Sequence, residues 1–222
     1  MAFHGGNTFE NPLSDKEKAL EEERVKFKAY LDDLGISEDD MRGKAVADVG
    51  AGSRMFGAHV LREGLTDRMY SIEPDVAGAF PEEQEQLART LSPDLKEKLD
   101  AMTFEAGRQA LPLQDASVDL LLNHGAMPGS ERLEHQDFEE IRKEISDALD
   151  EVVRVLTPGG EARLFPLVRG RKEPNDEIEQ KLEELKRQDI KVTIEEAARW
   201  MNPNGIEMMC DRIILWKPEK TR

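Results

Sequence analysis

A doubly wound α/β domain, with a mostly parallel seven-stranded sheet and helices on both faces, is the fold class this sequence predicts. Three observations lead there. Short apolar segments alternate with helical stripes, a glycine-containing turn directly follows the first such segment, and 222 residues without repeat or low-complexity tract suit one sizeable core. Strands alternating with helices imply right-handed βαβ units and therefore parallel pairing.

Ser14 and Glu17 have capping-box spacing, Leu20, Phe27, Leu31 and Leu34 recur at helical intervals, and Gly35 offers a stop. The pattern predicts a helix over 15–34 whose opposite face, with Glu21, Glu22, Glu23 and Lys28, is solvated. Residues 1–40 are then an N-terminal helical extension packed on the core, and 41–222 one α/β unit. Val46 and Val49 mark a buried strand over 44–49. A helix over 55–63, a strand over 69–72, a Glu- and Gln-rich helix over 81–91, a weaker strand over 102–105 and a stronger one over 118–122 follow.

Ile141, Ile145, Leu149, Val152, Val153 and Leu156 form a core-facing stripe on a helix over 138–156, which Pro158, Gly159 and Gly160 break. A fifth strand is expected over 162–168, then a charged connection from Arg169 to Asp176, then a helix over 176–187 carrying Ile178, Leu182 and Leu185. Segments around 192–194 and 212–216 close the sheet as a hairpin-like pair that departs from the parallel pattern.

Composition narrows the function. The formal net charge of -16 repels phosphate backbones, which disfavours nucleic acid and favours small-molecule or protein partners. The single cysteine, Cys210, excludes an intrachain disulfide and any multi-cysteine zinc site, and no metal site is expected. Residues 1–10 lack a basic-then-apolar signal pattern, and no apolar run nears the ~18 residues of a membrane span. A cytoplasmic protein without membrane contact is the expectation.

The chemistry is concentrated at Asp48-Val49-Gly50-Ala51-Gly52-Ser53-Arg54, between the first strand and its helix. Small residues there let a nucleoside cofactor approach the backbone, while amide groups at the helix start meet its polar groups. Glu73 ends the second strand, where a carboxylate can accept both ribose hydroxyls. Further along lie Leu111-Pro112-Leu113-Gln114-Asp115-Ala116-Ser117-Val118-Asp119 and Glu151-Val152-Val153-Arg154-Val155-Leu156-Thr157-Pro158-Gly159-Gly160.

With Val46 to Gly52 and Ile72-Glu73-Pro74, these blocks resemble the Rossmann-like class of S-adenosylmethionine-dependent methyltransferases across residues 42–168. The resemblance implies S-adenosylmethionine as cofactor. It implies that Asp48 lies near the cofactor's positively charged methionine end, that Gly50, Ala51 and Gly52 form the tight backbone floor, and that Glu73 holds the ribose. Asn123 would present its carbonyl or side chain to the amino-acid part. Two positions depart from the pattern: Arg54 stands where glycine is common, and Gly107 stands where an acidic residue often meets the adenine amine. Glu105 is two residues early, leaving the backbone of Gly107 and Arg108 to hold the adenine.

On the acceptor side, methyl transfer to an already nucleophilic atom needs chiefly alignment. If a proton must leave, His124 beside the fourth strand is the catalytic candidate, because an imidazole titrates near neutral pH; a loop-stabilising histidine is the alternative. His59 reads as packing or surface, and His4 and His135 have no constellation. Asn123 to Pro128 lacks the Asn-Pro-Pro-aromatic signature of many amino-group methyltransferases. Arg169, Arg171 and Lys172 can draw in an anionic acceptor or simply balance charge on an exposed loop. Trp200 and Trp216 read as core residues. Two other readings stand beside methyl transfer: a noncatalytic interaction module on the same fold, and a nicotinamide-dependent oxidoreductase, which the Leu-Pro and Pro-Gly-Gly blocks disfavour.

Overall fold

The computed structural model describes residues 13–126, 138–168, 172–201 and 207–219. In chain order the elements are α1 (Asp15–Leu34), a 3-10 turn (Glu38–Asp40), β1 (Ala45–Val49), α2 (Met55–Arg62), β2 (Arg68–Glu73), α3 (Pro81–Thr90), α4 (Pro93–Ala101) and β3 (Thr103–Glu105). Then come β4 (Val118–His124), α5 (Phe138–Val155), β5 (Leu156–Val168), α6 (Lys172–Arg187), β6 (Lys191–Met201) and β7 (Glu207–Trp216). Seven strands form one sheet in the order β3-β2-β1-β4-β5-β7-β6. β1 pairs in parallel with β2 and β4, as β2 does with β3 and β4 with β5. β7 runs antiparallel to both β5 and β6, so the terminal hairpin inserts its second strand into the sheet.

Two buried clusters flank these strands. Ala47, Val49, Ile72, Leu121 and Leu164 pack with Ile145 and Leu149 of α5 and Leu182 and Leu185 of α6. Val46, Met69, Leu120 and Leu122 pack with Phe27, Leu31 and Leu34 of α1, Phe56 and Val60 of α2, Leu87 of α3 and Leu99 of α4. Burying such side chains removes apolar surface from water, the main driving force for docking the helices.

Several boundaries differ from the sequence expectation. α4 was not anticipated, although Ser92 accepts the Leu95 N–H as N-cap, Pro93 occupies the first turn, and Leu95 and Leu99 stand four apart. α6 starts at Lys172, absorbing most of the charged stretch read as connection, and the side chain of Asn175 donates to the Val168 carbonyl at 2.9 Å. β4 continues through Asn123 and His124 because their registers extend to Leu164 and Phe165 of β5. Pro158 to Gly160 lie within β5 instead of before it. Gly159 donates to the Lys217 carbonyl and Lys217 returns a bond to Gly160, keeping that segment paired.

α1 follows its predicted span, with the capping box at Ser14 and Gly35 left-handed at φ 65. One assignment on it is corrected: Glu23 is only 1% exposed, not solvated. It stands four residues from both Ala19 and Phe27, within the buried stripe, and carries its charge inward because partners await it. Arg62 of α2 donates to Glu23, the His59 ring lies 3.0 Å from it, and Thr90 of α3 is 3.4 Å away. A paired, hydrogen-bonded carboxylate is tolerated where a lone one is not.

Above this network Phe27 stacks on Phe56 and packs against His59, Phe56 stacks on Tyr30, Tyr30 on His124, and His124 on Phe165. The column of rings ties α1 to α2, β4 and β5. At its other end α1 has no basic residue in its last turn; Arg212 of β7 instead donates to the carbonyls of Asp32 and Asp33 at 3.3 and 3.2 Å. A guanidinium there satisfies open carbonyls and opposes the negative end of the helix dipole.

Candidate active site

Parallel register aligns the C-terminal strand ends: Val49 faces Ile72, Glu73 faces Glu105, and Asp48 faces Leu122. Strand order reverses between β1 and β4, the position at which open α/β sheets form a crevice. A cleft of about 590 Å³ opens there, its lining including Gly50, Glu73, Phe80, Gly107, Arg108 and His124.

The turn after β1 is held by hydrogen bonds from several sides. The amides of Gly50 and Ala51 both donate to the Ile72 carbonyl, at 2.8 and 3.1 Å, and the Gly52 amide donates to Glu73 Oε2 at 2.9 Å. Ser53 Oγ donates to Glu83 of α3 at 2.6 Å. Gly50 has φ 79, and a Cβ built on it would lie 2.2 Å from the Ala126 Cβ. On Gly52, at φ 51, a Cβ would meet the Phe80 ring at 3.0 Å. Arg54 is left-handed at φ 65 but aims its side chain elsewhere, pairing with Asp100 at 3.0 Å and donating to Gln84 at 3.2 Å. It does not line the cleft or narrow it.

Asp48 is fully buried and does not line the cleft either. Its Oδ1 accepts from the Tyr30 hydroxyl, while Oδ2 is buried with no partner among the described residues. Burial raises its pKa from the usual 3.8 to about 6, opposed by the Tyr30 hydrogen bond and the His124 ring and reinforced by Glu73. Burial, with the Asp48 charge, also pushes the Tyr30 phenol well above its ordinary value. The sign for stability follows. An acid whose folded pKa is raised stabilises the fold fully below its unfolded pKa and loses that contribution as pH rises through about 6. Asp48→Asn should therefore raise the thermal midpoint at about pH 8 and change it little at about pH 4. A midpoint raised equally at both pH values would contradict this.

His124 lines the cleft with its side chain 23% exposed, and its Nε2 lies 2.9 Å from Asp33 Oδ2 on α1. Asn123 is buried; its Nδ2 donates to the Ala126 carbonyl at 3.3 Å and its Oδ1 has no partner among the described residues. Arg108 donates to the Ala126 carbonyl at 3.2 Å and to Glu144 of α5, which also accepts from Gln109 at 2.8 Å.

Of the residues singled out from the sequence, Gly50, Glu73, Gly107, Arg108 and His124 thus share the cleft lining. Ala51 and Gly52 belong to the adjoining turn, and Asp48 and Asn123 are buried beside it in sequence. Tyr30 and Asp33 were missed. Their signal was positional: each lies a further three residues along from Phe27 on a helix whose apolar stripe was recognised. His59 is buried in the Glu23 network, and Trp216 is half-buried, donating to the Gly159 carbonyl with the Lys191 ammonium 4.0 Å from its ring centroid. His4, His135, Arg169 and Arg171, and the side chains of Lys172 and Trp200, lie outside the described residues. Among the described residues no group of three or more His, Cys, Asp or Glu side chains could hold a metal ion, and no helix is long and apolar enough to cross a membrane.

No family model matches the chain, and no curated protein matches it in sequence. Solved structures do match. A SAM-dependent methyltransferase from Methanosarcina mazei superposes with a TM-score of 0.55 at 17% identity, over 81% of this chain and 94% of that one. Magnesium protoporphyrin IX methyltransferase from Synechocystis PCC 6803, solved with bound SAM, matches at 0.52 and 12% identity, over 94% of this chain and 86% of that one. The 4+2 cyclase SpnF matches at 0.53 and 17% identity, over 98% and 88%. The chain has the fold of S-adenosylmethionine-dependent methyltransferases.

Proposed function

We propose that this protein transfers a methyl group from S-adenosylmethionine to a small acceptor, with the donor held at the C-terminal ends of β1, β2 and β4. The observation that carries the reading is the joining, at one cleft, of a strand-end carboxylate and a glycine turn: Gly52 N–H is bonded to Glu73, and Gly50 and Glu73 both line the space. The residues fit this donor chemically. Glu73 retains acceptor capacity for ribose hydroxyls, Gly50 and Gly52 leave the backbone open to close approach, and Gly107 and Arg108 line the cleft where the adenine edge is proposed to lie. Asp48 Oδ2 and Asn123 Oδ1, buried outside the lining and without a partner among the described residues, favour the ammonium and sulfonium end through buried negative charge and dipole. Bound there, S-adenosylmethionine supplies a methyl group on a positively charged sulfur.

The wider reading is consistent with this. Neighbours on β1, Val46 and Ala47, fall in different clusters, which supports a doubly wound sheet with helices on both faces. In the proposed extension 1–40 of the 41–222 unit, of which 1–12 lie outside the described residues, α1 reaches the proposed substrate side through the contacts of Tyr30 with Asp48 and Asp33 with His124. An anionic acceptor drawn in by Arg169, Arg171 and Lys172 finds little support in the described lining, which carries Glu73, Glu144 and an Arg108 paired with Glu144. We place the protein in the cytoplasm, acting on a small-molecule or protein acceptor and not on nucleic acid.

Calorimetric titration tests the donor. S-adenosylmethionine and S-adenosylhomocysteine should compete for one site, and Glu73→Ala should weaken both by roughly 1.5 to 3 kcal/mol, the worth of charged hydrogen bonds. Unchanged affinity in a folded variant rejects the ribose assignment. Absence of binding to either ligand favours the interaction-module reading, and displacement by NAD the oxidoreductase reading.

A further inference from the structure

We infer that the acceptor is a neutral phenol-like hydroxyl compound, deprotonated by Nδ1 of His124 while Asp33 holds the imidazole from the opposite side. The inference rests on the donor reading above and adds the acceptor class and a positioning residue. Asp33 is a carboxylate and accepts, so the 2.9 Å contact places the proton on Nε2. That leaves the lone pair on Nδ1, which has no hydrogen-bond partner among the described residues. The ring is held by stacking on Tyr30 and on Phe165, at 4.5 and 5.4 Å. His59 is also held by an α1 carboxylate, but it is 8% exposed within its network, whereas His124 lines the cleft with its side chain 23% exposed, where a lone pair can meet an acceptor.

The charges around the cleft decide what the base acts on. Glu73 and Glu144 line it, Arg108 is engaged by Glu144, and Asp33 and Asp48 lie behind His124 and Tyr30. Among the described residues this environment welcomes the cationic donor and repels an anionic acceptor, which favours an acceptor that enters neutral. A neutral amine is already a nucleophile, whereas a neutral hydroxyl must lose its proton. Proton transfer is most effective when donor and acceptor lie within a few pKa units, and a phenol near ~10 meets that condition for an imidazole far better than an alkanol. Phe80, 59% exposed and also lining the cleft, offers an aromatic face to such a ring.

The step balances. The hydroxyl proton passes to Nδ1 of His124, a carbon–oxygen bond forms as the methyl carbon–sulfur bond breaks, and the sulfonium becomes the neutral thioether of S-adenosylhomocysteine. The imidazolium then returns its proton to solvent.

Binding of 4-nitrophenol to the protein saturated with S-adenosylhomocysteine tests this without turnover. At a pH where the free compound is mostly protonated, binding to the wild-type protein should produce the yellow phenolate absorbance. His124→Gln should abolish it and Asp33→Asn should diminish it, each with S-adenosylhomocysteine affinity retained as the report of an intact fold. With S-adenosylmethionine and a series of substituted phenols, His124→Gln should cost about 100-fold or more for weakly acidic phenols. The loss should shrink towards none for phenols already ionised in solution. A loss equal across the series, or a phenolate signal that survives His124→Gln, overturns the inference. So does binding of S-adenosylhomocysteine without binding or ionisation of any phenol, and that outcome leaves the donor reading standing. Failure of S-adenosylhomocysteine itself to bind overturns both.

Discussion

Replacing Phe27 with alanine should lower the stability of the protein by about 3 to 5 kcal/mol, the range for removing a large aromatic side chain from a packed interior. Phe27 is 4% exposed and is the point at which two sets of contacts meet. The ring stacks on Phe56 at 5.2 Å and lies 4.0 Å from His59, whose Nδ1 is 3.0 Å from buried Glu23. Its loss opens a cavity and loosens the wall around that charge network. Urea denaturation measures the effect directly, and a decrease below ~1 kcal/mol would mean that α1 closes over the vacancy. Phe27→Leu should recover part of the loss, because volume returns without the stacking.

Gly50→Val should be the most damaging single change at the cleft, costing roughly 2 to 5 kcal/mol. Left-handed backbone costs a non-glycine residue ~1–2 kcal/mol, more for a β-branched one, and overpacking adds ~1–3. Both apply at φ 79 with the Ala126 Cβ 2.2 Å from where the new Cβ must go. Relief requires the turn to leave the Ile72 carbonyl that accepts its two amides, or the end of the β4 loop to lift. Either movement deforms the wall on which the donor is proposed to rest. S-adenosylhomocysteine binding should fall below detection in a protein that still gives a cooperative, earlier melt; full affinity would show that Gly50 is not part of the floor.

The succession of most strands and helices and the place of the glycine turn were legible because both depend on local pattern. Val46 and Val49 before Gly50, Ile72 before Glu73, and the Ile141 to Val152 stripe each declare themselves within one window of sequence. What escaped depends on distant partners. Glu23 looks like its neighbours Glu21 and Glu22, and only the positions of Arg62, His59 and Thr90 make it a buried residue. Tyr30 and Asp33 likewise acquire their roles from Asp48 and His124, which no helical periodicity encodes. α4 was hidden for the opposite reason: its cap at Ser92 is strong, but Leu91-Ser92-Pro93 reads first as the end of α3.

The Arg212 contact to the end of α1 spans 180 positions of sequence. During synthesis α1 leaves the ribosome before any of the seven strands, yet the guanidinium that completes its last turn follows only with the seventh. β6 waits in the same way, since among the described residues it pairs with β7 alone. Such non-local pairing delays the final ordering step until the loop between its partners has closed. The nascent chain therefore carries α1 with its last turn unfinished until β7 is made, and the contacts of Tyr30 and Asp33 are secured only when that strand docks.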